Sequence, residues 1–490
     1  MASELFSSIY ADYLSPFARH VNATVLRIDK LAPYFKGASV NTILFMTASF
    51  YVSPRQNEPP LVPYWIPFIG SAITMGIDPI KFYRDRQKEG NNLVFNAKLA
   101  DASAEEAYRS LTVPVFGKGV VYDVHNSVLM EQKKFVKAGL SVENLRAYIP
   151  MIEMETKNYL SRWNKKSDVQ DIHKAMAELI ILTASRCLLV AQIFHDLDGG
   201  FKPINFLFDD LPLPSNRLRD KAHVKMRHFF IDIMKHRRDT GKVDSTDVMQ
   251  YLATNCQYKS GRSLTDMEVA HIMIAMLMAG QHTSSTTSAW AFLYLAWNPE
   301  LFDKLRQEQI EILGSLDAPL TYDSLKQLTL HNNIVRETLR LRPPILHIIR
   351  KVVRDMTIPG TTYVIPKDAY VQCIPAITAR SDEFFENAEE FNPYRWKDYD
   401  LQNKEHDDDL VDYGFGALSA SARSPVLPFG AGRHRCIGEP FAYVQIKTIL
   451  ATFVRTFNLE LHNNKFPECD FTTMMVQPKH PMVKYTRVDC

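Results

Sequence analysis

The sequence contains no C-x-x-C pair, no excess of one charge and no apolar run of the roughly twenty residues that a membrane-spanning helix needs. Its six cysteines are scattered along 490 residues, so neither a zinc site nor a disulfide framework is predicted, and a reducing compartment fits best. The 57 Lys and Arg residues nearly cancel the 55 Asp and Glu residues. The chain therefore lacks the basic footprint of a nucleic-acid-binding protein, and no nucleic-acid partner is expected.

The amino-terminal region combines a short uncharged segment with a run of prolines. Residues 38–52 (ASVNTILFMTASFYV) carry no charge and are about five residues short of a bilayer span. They fit either a buried helix or, as a functional alternative, a membrane anchor or an interfacial helix. Prolines at five positions between residues 54 and 67 exclude a helix and favour a stiff, extended chain. We predict an anchor or amphipathic segment over residues 1–53, a hinge over 54–70 and one large domain over 71–490.

Apolar residues repeat at three- and four-residue spacing through most of residues 127–340, which predicts helices. The segments Leu129–Leu140, Ile149–Trp163 and Ala175–Leu189 show this spacing. Residues 352–374 are instead rich in β-branched side chains and predict short strands. The expected fold class is mainly α with a minor β component.

The longest helix is expected over Met267–Trp297, because this stretch contains no proline and its first half is apolar nearly all round. Its centre, Gln281–Ser288, is polar, and buried polar groups are costly unless they are hydrogen-bonded. Two interpretations follow. The segment is either a set of satisfied polar groups that packs helices together, or a helix opened near Gly280 that holds a ligand and a water or proton chain.

A cysteine among glycines and cationic side chains stands out in residues 427–439, Leu-Pro-Phe-Gly-Ala-Gly-Arg-His-Arg-Cys-Ile-Gly-Glu. Glycines permit a tight turn and a close approach of the backbone to a flat partner. The cations at positions 433–435 and the start of the next helix would favour a thiolate at Cys436 over a thiol. A cysteine thiolate that binds haem iron promotes cleavage of the O–O bond.

This loop resembles the F-x-x-G-x-[HR]-x-C-x-G motif of the cytochrome P-450 superfamily, and the matching residues are Phe429, Gly432, His434, Cys436 and Gly438. The resemblance implies haem b, with Cys436 as the axial ligand of its iron. It also implies the superfamily's fold, in which haem lies buried between a long central helix and the cysteine-ligand loop.

Two further segments resemble the same superfamily. Glu337-Thr-Leu-Arg340 is similar to its E-x-x-R helix, and Glu and Arg three positions apart share one helix face. With Arg395 downstream, the resemblance implies a structural Glu-Arg-Arg network. Ala279-Gly-Gln-His-Thr283 is similar to the oxygen-activation segment of the central helix.

Within the superfamily, the details resemble the sterol 14α-demethylases of filamentous fungi over nearly all of residues 59–490. His282 stands where most members have an acid before the threonine, and residues 108–123 resemble that branch closely. The resemblance implies that His282 pairs with Asp198 to relay protons. It also implies that Thr283 donates a hydrogen bond during oxygen activation.

The same resemblance implies which side chains surround the cofactor and the substrate. Phenols and cations suit buried carboxylates, and the implied partners of the haem propionates are Tyr108, Tyr122, Lys133, Arg350 and His434. A large, mostly apolar pocket suits a sterol. Its implied wall is Leu111, Thr112, Phe116, Phe201, Pro203, Phe206, Leu346, His347 and Met474.

The implied activity is removal of the 14α-methyl group of lanosterol or eburicol, in ergosterol biosynthesis, by three successive O2-dependent oxidations. The sequence carries no flavin or nicotinamide fingerprint. Electrons would therefore come from NADPH through a separate cytochrome P-450 reductase, with cytochrome b5 as a second donor. The resemblance further implies a monomer on the endoplasmic reticulum membrane, with its catalytic domain facing the cytosol.

Two places depart from the family's pattern. Residues 83–95 run directly between helices where relatives have a β-hairpin, and residues 185–194 lack a stretch that relatives carry before Asp198. Loss of paired strands would leave exposed sheet edges. Three hypotheses follow: an active demethylase, a non-catalytic haem- and sterol- or azole-binding paralogue or defective isoform, and a haem-thiolate isomerase that needs no reductase. Thr283 and the polar helix centre argue against the isomerase, since oxygen activation uses both.

Overall fold

The computed structural model describes residues 77–88, 102–184, 193, 196–201, 205, 212–241, 248–358, 361–397, 410–412, 417–419, 424–471 and 475–488. The predicted anchor (1–53) and hinge (54–70) lie outside these residues. So do the departure near residues 89–93 and, apart from Ile193, the departure near residues 188–195.

Helices make up most of the described chain, and the mainly α fold predicted from the periodicity is confirmed. The helices are α1 (Pro79–Lys88), α2 (Ala104–Phe116), α3 (Asn126–Gly139), α4 (Val142–Leu160), α5 (Ile172–Ala184), α6 (Pro214–Thr240), α7 (Val248–Asn255), α8 (Asp266–Trp297), α9 (Glu300–Leu313), α10 (Tyr322–Gln327), α11 (Thr329–Leu341), α12 (Pro375–Thr378) and α13 (Glu439–Thr456). The strands are β1 (Ala102–Ser103), β2 (Ser167–Asp171), β3 (Ile348–Val352), β4 (Met356–Thr357), β5 (Val364–Ile365), β6 (Tyr370–Cys373), β7 (Leu410–Asp412), β8 (Ala417–Ser419), β9 (Phe457–Leu461), β10 (Cys469–Asp470), β11 (Gln477–Pro478) and β12 (Met482–Arg487).

The long helix α8 is set by a cap at its start. The Thr265 side chain accepts from the N–H of Glu268, and the Glu268 side chain accepts from the N–H of Thr265, so two otherwise orphaned donors are satisfied. The predicted central helix is therefore confirmed to within one residue of its start. In the described part of the chain, no helix, α8 included, has an apolar stretch of the length needed to cross a membrane.

Strand β2 lies inside the region that was predicted to be helical. Its sequence, SDVQD, shows no apolar alternation, and it pairs antiparallel with β12, from Asp171 opposite Met482 to Ser167 opposite Thr486. Strand β12 also pairs with β9 on its other side. The sequence did not predict this strand, which lies between the predicted helices Ile149–Trp163 and Ala175–Leu189, because distant pairing, and not the local pattern, stabilises it. The strands predicted over residues 352–374 are present as parts of β3 to β6.

The described chain divides into two compact units. The smaller one contains residues up to Ser103 and Arg350–Val371. Within it β1 pairs antiparallel with β3, and β4 pairs with β5. A small core of Val352, Met356, Ile358 and Ile365 stabilises these strands.

The larger unit, Ala104–Ile349 with Gln372–Cys490, has two apolar cores that share α8. One core lies between the C-terminal half of α8 and helices α4, α5, α9 and α13. It includes Trp290, whose indole N–H donates to the Val476 carbonyl at 2.7 Å. The other core lies between the N-terminal half of α8 and helices α2, α3, α6 and α7. The centre of α8 therefore lies in the interior of this unit.

That centre is the polar segment identified in the sequence, and it is buried: Gln281 and Ser284–Ser288 are each at most 3% exposed. Hydroxyls of three residues donate to carbonyls of the preceding turn, namely Thr283, Ser285 and Thr287. Among the described residues, Thr286 Oγ1 and Ser288 Oγ find no hydrogen-bond partner. The interpretation of satisfied polar groups thus holds for part of the segment. The two unpartnered hydroxyls keep the ligand- or water-holding interpretation open.

A buried ionic network ties α11 to residues 379–395. Glu337 and Arg340 have 0% side-chain exposure and form two bonds, of 2.9 and 2.7 Å, between carboxylate and guanidinium. Arg395 Nε donates to the same carboxylate at 2.9 Å. Arg340 also donates to the carbonyls of Ala379 and Ala388. The three residues that resemble a Glu-Arg-Arg network are therefore in contact.

We expect Glu337→Gln to lower the free energy of unfolding by about 3–5 kcal/mol, because Arg340 would remain as a buried charge without its counter-charge. Urea unfolding of the purified protein measures this. The matched control is Glu468→Gln, whose exposed carboxylate lies 3.6 Å from Lys465 Nζ, and a change within about 1 kcal/mol is expected there. Equal effects of the two substitutions would contradict the structural role assigned to Glu337.

Candidate active site

The cysteine loop closes on itself just before α13. Gly430 and Gly432 have φ angles of 70° and 63°, a left-handed conformation that residues with a β-carbon disfavour. The Cys436 N–H donates to the Phe429 carbonyl at 2.9 Å, and a 3-10 turn over Gly432–His434 reverses the chain. These features hold Cys436 in front of the amino-terminal end of α13.

Cys436 is accessible to solvent in the protein alone, although many protein atoms surround its thiol. Burial is the largest effect on the thiol and raises its pKa above the usual value. The Gly438 N–H and the charges of Lys133 and Arg435 lower the pKa, whereas the Glu439 carboxylate raises it. Among the loop cations Arg435 therefore acts in the predicted direction and favours the thiolate, but burial outweighs this effect and keeps the pKa above its usual value. Coordination to a metal ion would deprotonate the thiol outright.

The cations of the loop also have partners outside Cys436. Arg433 Nη1 lies 3.4 Å from Asn126 Oδ1, 307 positions away in the sequence. His434 Nε2 lies 3.6 Å from Glu105 Oε1, and Arg435 pairs with Glu439 at 2.8 Å. Sequence reasoning missed Glu105 and Asn126 because no local pattern marks such distant contacts.

Three of the rings assigned to the haem propionates lie together. Tyr108 and Tyr122 are stacked, with ring centroids 5.3 Å apart, and the Tyr122 and His434 rings are 6.4 Å apart. The Tyr108 hydroxyl accepts from the Ile349 N–H at 2.9 Å. Another cation of the predicted set, Arg350, lies on β3 in the smaller unit.

Lys133, on α3, contacts the cysteine loop directly. Its Nζ donates to the carbonyls of Arg433 and Arg435 at 2.7 and 2.8 Å. Burial lowers its pKa to about 8, and the nearby Cys436 counteracts this in part. The side chain thus anchors the loop on both sides of His434.

The structure also brings together the two residues assigned to a proton relay. His282 Nε2 and Asp198 Oδ1 are 2.9 Å apart. His282 belongs to the polar centre of α8, whereas Asp198 is partly exposed, with 36% of its side chain accessible. The contact therefore links the interior of the protein with a carboxylate that reaches solvent. Thr283, next to His282, donates its hydroxyl hydrogen to the Ala279 carbonyl at 2.8 Å.

The described residues of the predicted sterol wall are mostly apolar and buried. Phe116 and Phe201 meet edge to face with centroids 5.7 Å apart, an attractive aromatic geometry. Leu111, Thr112 and Leu346 are buried. Three further members of the predicted wall lie outside the described residues, namely Pro203, Phe206 and Met474.

These surroundings fit a flat, anionic iron porphyrin. Cys436 offers one soft sulfur ligand on an exposed side, and phenols and cations stand nearby for carboxylates. Space is available: no described heavy atom lies within 4 Å of where a β-carbon on Gly280 or Gly430 would stand, apart from the local chain. Ile437, next to the cysteine, packs against the core formed with the N-terminal half of α8.

Comparison with known proteins identifies the class. Residues 87–485 match the family model described as cytochrome P-450, and the chain belongs to that family. It is 45% identical over 471 residues to a sterol 14-alpha demethylase of Gibberella zeae, covering 87% of this chain and 92% of the relative. It is 44% identical to a sterol 14-alpha demethylase of Aspergillus fumigatus, with coverages of 88% and 92%. A lanosterol 14-alpha demethylase of Cunninghamella elegans is 42% identical, with coverages of 90% and 94%.

The predicted wall residue His347 makes stability depend on pH. Burial lowers its pKa from 6.5 to about 4. Between these two pH values the imidazole binds a proton in the unfolded chain but not in the folded chain. The free energy of unfolding therefore decreases as the pH falls from 6.5 towards 4, and above pH 6.5 His347 causes no such loss. We expect His347→Gln to reduce the loss of thermal stability between about pH 7 and about pH 4.5. The exposed control His462→Gln should leave that loss unchanged, and an unchanged loss in His347→Gln would contradict the assignment.

Proposed function

We propose that this chain is a sterol 14α-demethylase, a haem-thiolate monooxygenase that removes the 14α-methyl group of lanosterol or eburicol in ergosterol biosynthesis. One observation carries the proposal: Ile437 of the cysteine loop packs against the core that includes the N-terminal half of α8, and the polar centre of the same helix makes the His282–Asp198 contact. Relatives with demethylase names align along most of the chain and support it.

The cofactor in this proposal is haem b, which, once bound, activates O2 with electrons from a reductase and oxidises the substrate's methyl group. Cys436 Sγ would be its axial ligand, held by the loop glycines Gly432 and Gly438 and by Phe429. The propionates would be neutralised and hydrogen-bonded by Tyr108, Tyr122, Lys133, Arg350 and His434. For Arg350 this role rests on the family resemblance alone.

The His282–Asp198 contact would carry protons to the reacting centre. Each oxidation consumes protons, and a carboxylate that is partly accessible to solvent can be recharged with a proton and pass it to the imidazole. Thr283 would then donate its hydroxyl hydrogen towards the reacting oxygen. Its hydroxyl donates to the Ala279 carbonyl in this structure, so it would have to rotate away from that carbonyl.

The substrate would lie against the apolar wall formed by Leu111, Thr112, Phe116, Phe201 and Leu346, with Pro203, Phe206, His347 and Met474 completing the set. The uncharged state of His347 near neutral pH suits an apolar ligand. The sterol's single hydroxyl would then need only one polar partner.

We further propose that NADPH-cytochrome P-450 reductase supplies the electrons, with cytochrome b5 as a second donor. The chain would act as a monomer on the endoplasmic reticulum membrane, with residues 1–53 as its anchor, residues 54–70 as its hinge and residues 71–490 as the catalytic domain facing the cytosol. The alternative of a non-catalytic paralogue has no support from the relatives, which carry demethylase names.

The first test of the haem ligand is the difference spectrum of the dithionite-reduced protein with carbon monoxide. The wild-type protein is expected to show the strongly red-shifted Soret band of thiolate-ligated haem, and Cys436→Ser is expected to lose it. The control Cys373→Ser, which changes another exposed cysteine, should retain the band. A red-shifted band in Cys436→Ser would overturn the ligand assignment.

A second test addresses catalysis. Asp198→Asn keeps the shape of the side chain but removes the ionisable group beside His282, so we expect demethylation of lanosterol or eburicol with reductase to slow at least about a hundredfold. Haem content and the carbon monoxide spectrum should remain near wild type. Asp196→Asn, in the same short segment, is the matched control and should stay active. Wild-type, haem-loaded protein that forms no product would refute the demethylase proposal itself.

A further inference from the structure

The turn that carries Tyr122 contains an unusual backbone conformation. Val121, the preceding residue, has a φ of 52°, a region that β-branched residues rarely adopt because the β-carbon collides with the backbone. Such a conformation persists only when its surroundings hold it, and it is often found beside a functional site. Asp123 closes the turn by accepting from the Gly119 N–H at 2.9 Å.

Gln132, on α3, holds this turn from one side. It is 3% exposed, and its Oε1 accepts from the Val121 N–H at 3.2 Å while its Nε2 donates to the Gly119 carbonyl at 2.9 Å. These two bonds bracket Val120 and fix the strained residue that follows. A single side chain thus satisfies a buried donor and a buried acceptor of the turn.

The orientation of the Gln132 amide is set by a second chain of bonds. Its remaining N–H donates to the Tyr258 hydroxyl at 3.0 Å, and that hydroxyl donates to Glu268 Oε1 at 3.0 Å. Bonds from Arg262 and Thr265 outweigh burial and lower the Glu268 pKa to about 2. The carboxylate is therefore ionised at neutral pH and can only accept. The Tyr258 hydrogen is directed to it, and the lone pairs of the hydroxyl are left for Gln132.

These hydrogen bonds lead to the aromatic rings that were assigned to haem. Tyr122 follows Val121 directly and stacks on Tyr108 at 5.3 Å, so the position of the turn sets where its phenol hydroxyl lies. The neighbour of Gln132 on α3 is Lys133, which bonds to the cysteine loop. Adjacent residues of one helix therefore hold the turn that carries Tyr122 and the loop that carries Cys436.

We propose that Gln132 is a positioning residue for haem, which fixes the Tyr122 hydroxyl through the strained turn and is itself oriented by Tyr258 and Glu268. The inference rests on the proposed haem site and on the role of Tyr122 in it. A structural residue would affect stability alone, whereas a positioning residue would also affect haem affinity and the reduction potential of the haem, through Tyr122.

The test is a double-mutant cycle on the haem-loaded full chain. Gln132→Met keeps the length of the side chain and removes its three bonds, and Tyr122→Phe keeps the ring and removes the hydroxyl. We expect Gln132→Met to speed haem transfer to excess apomyoglobin about three- to tenfold, the effect of one hydrogen bond, and to shift the haem reduction potential. In the Tyr122→Phe background the same substitution should change neither quantity, because the group that it positions is gone.

Two further variants keep the outcome decisive. Tyr258→Phe retains the ring that packs on Phe135 and should reproduce the effect of Gln132→Met in weaker form, so it carries the test if Gln132→Met fails to fold. Gln445→Met removes another buried glutamine, bonded to Thr183, and should lower thermal stability without changing the reduction potential.

The failures can be told apart. Equal effects of Gln132→Met with and without the Tyr122 hydroxyl, or a loss of thermal stability with no change in haem transfer and potential, would overturn the positioning role and leave the proposed haem site intact. If Tyr122→Phe alone changes neither haem transfer nor potential, the assignment of Tyr122 to haem fails, and the inference about Gln132 fails with it.

Discussion

The carboxylate of Glu337 has no contact with solvent, so other side chains of the larger unit must neutralise its charge. Two guanidinium groups, of Arg340 and Arg395, do so. The same groups satisfy carbonyls in residues 379–390, a stretch with little regular secondary structure. An irregular segment can be buried only where its backbone groups find partners. The ionic network therefore allows irregular chain to pack beneath α11 on the way to the cysteine loop.

The cysteine loop shows which structural features can be predicted from local sequence and which cannot. Its turn-forming glycines could be predicted from residues 427–439, and the helix after it from the apolar residues that follow, because each depends on neighbours in the sequence. The protonation of Cys436 could not, because burial dominates its pKa and burial is a property of the folded chain. The partners of Arg433 and His434 come from α2 and α3, beyond any local pattern.

The same distinction holds for the fold. The central helix was predicted almost to the residue, since its cap and its apolar pattern are local. Strand β2 was not, since only its pairing with β12 makes SDVQD a strand. The contact of His282 with Asp198 was expected only through resemblance to a family, because nothing in the spacing of the two residues brings them together. The positions of the two departures from the family pattern, near 89–93 and 188–195, leave this contact and the cysteine loop in place.

The bond between Lys133 and the cysteine loop joins residues 300 positions apart. Contacts at such separation form late, because the entropy of closing the intervening loop must first be offset by structure within it. Helices α4 to α12 lie between the two partners, and we expect them to be largely packed before the bond forms. We therefore expect the bond that joins α3 to the cysteine loop to be among the last long-range contacts to form when the chain folds.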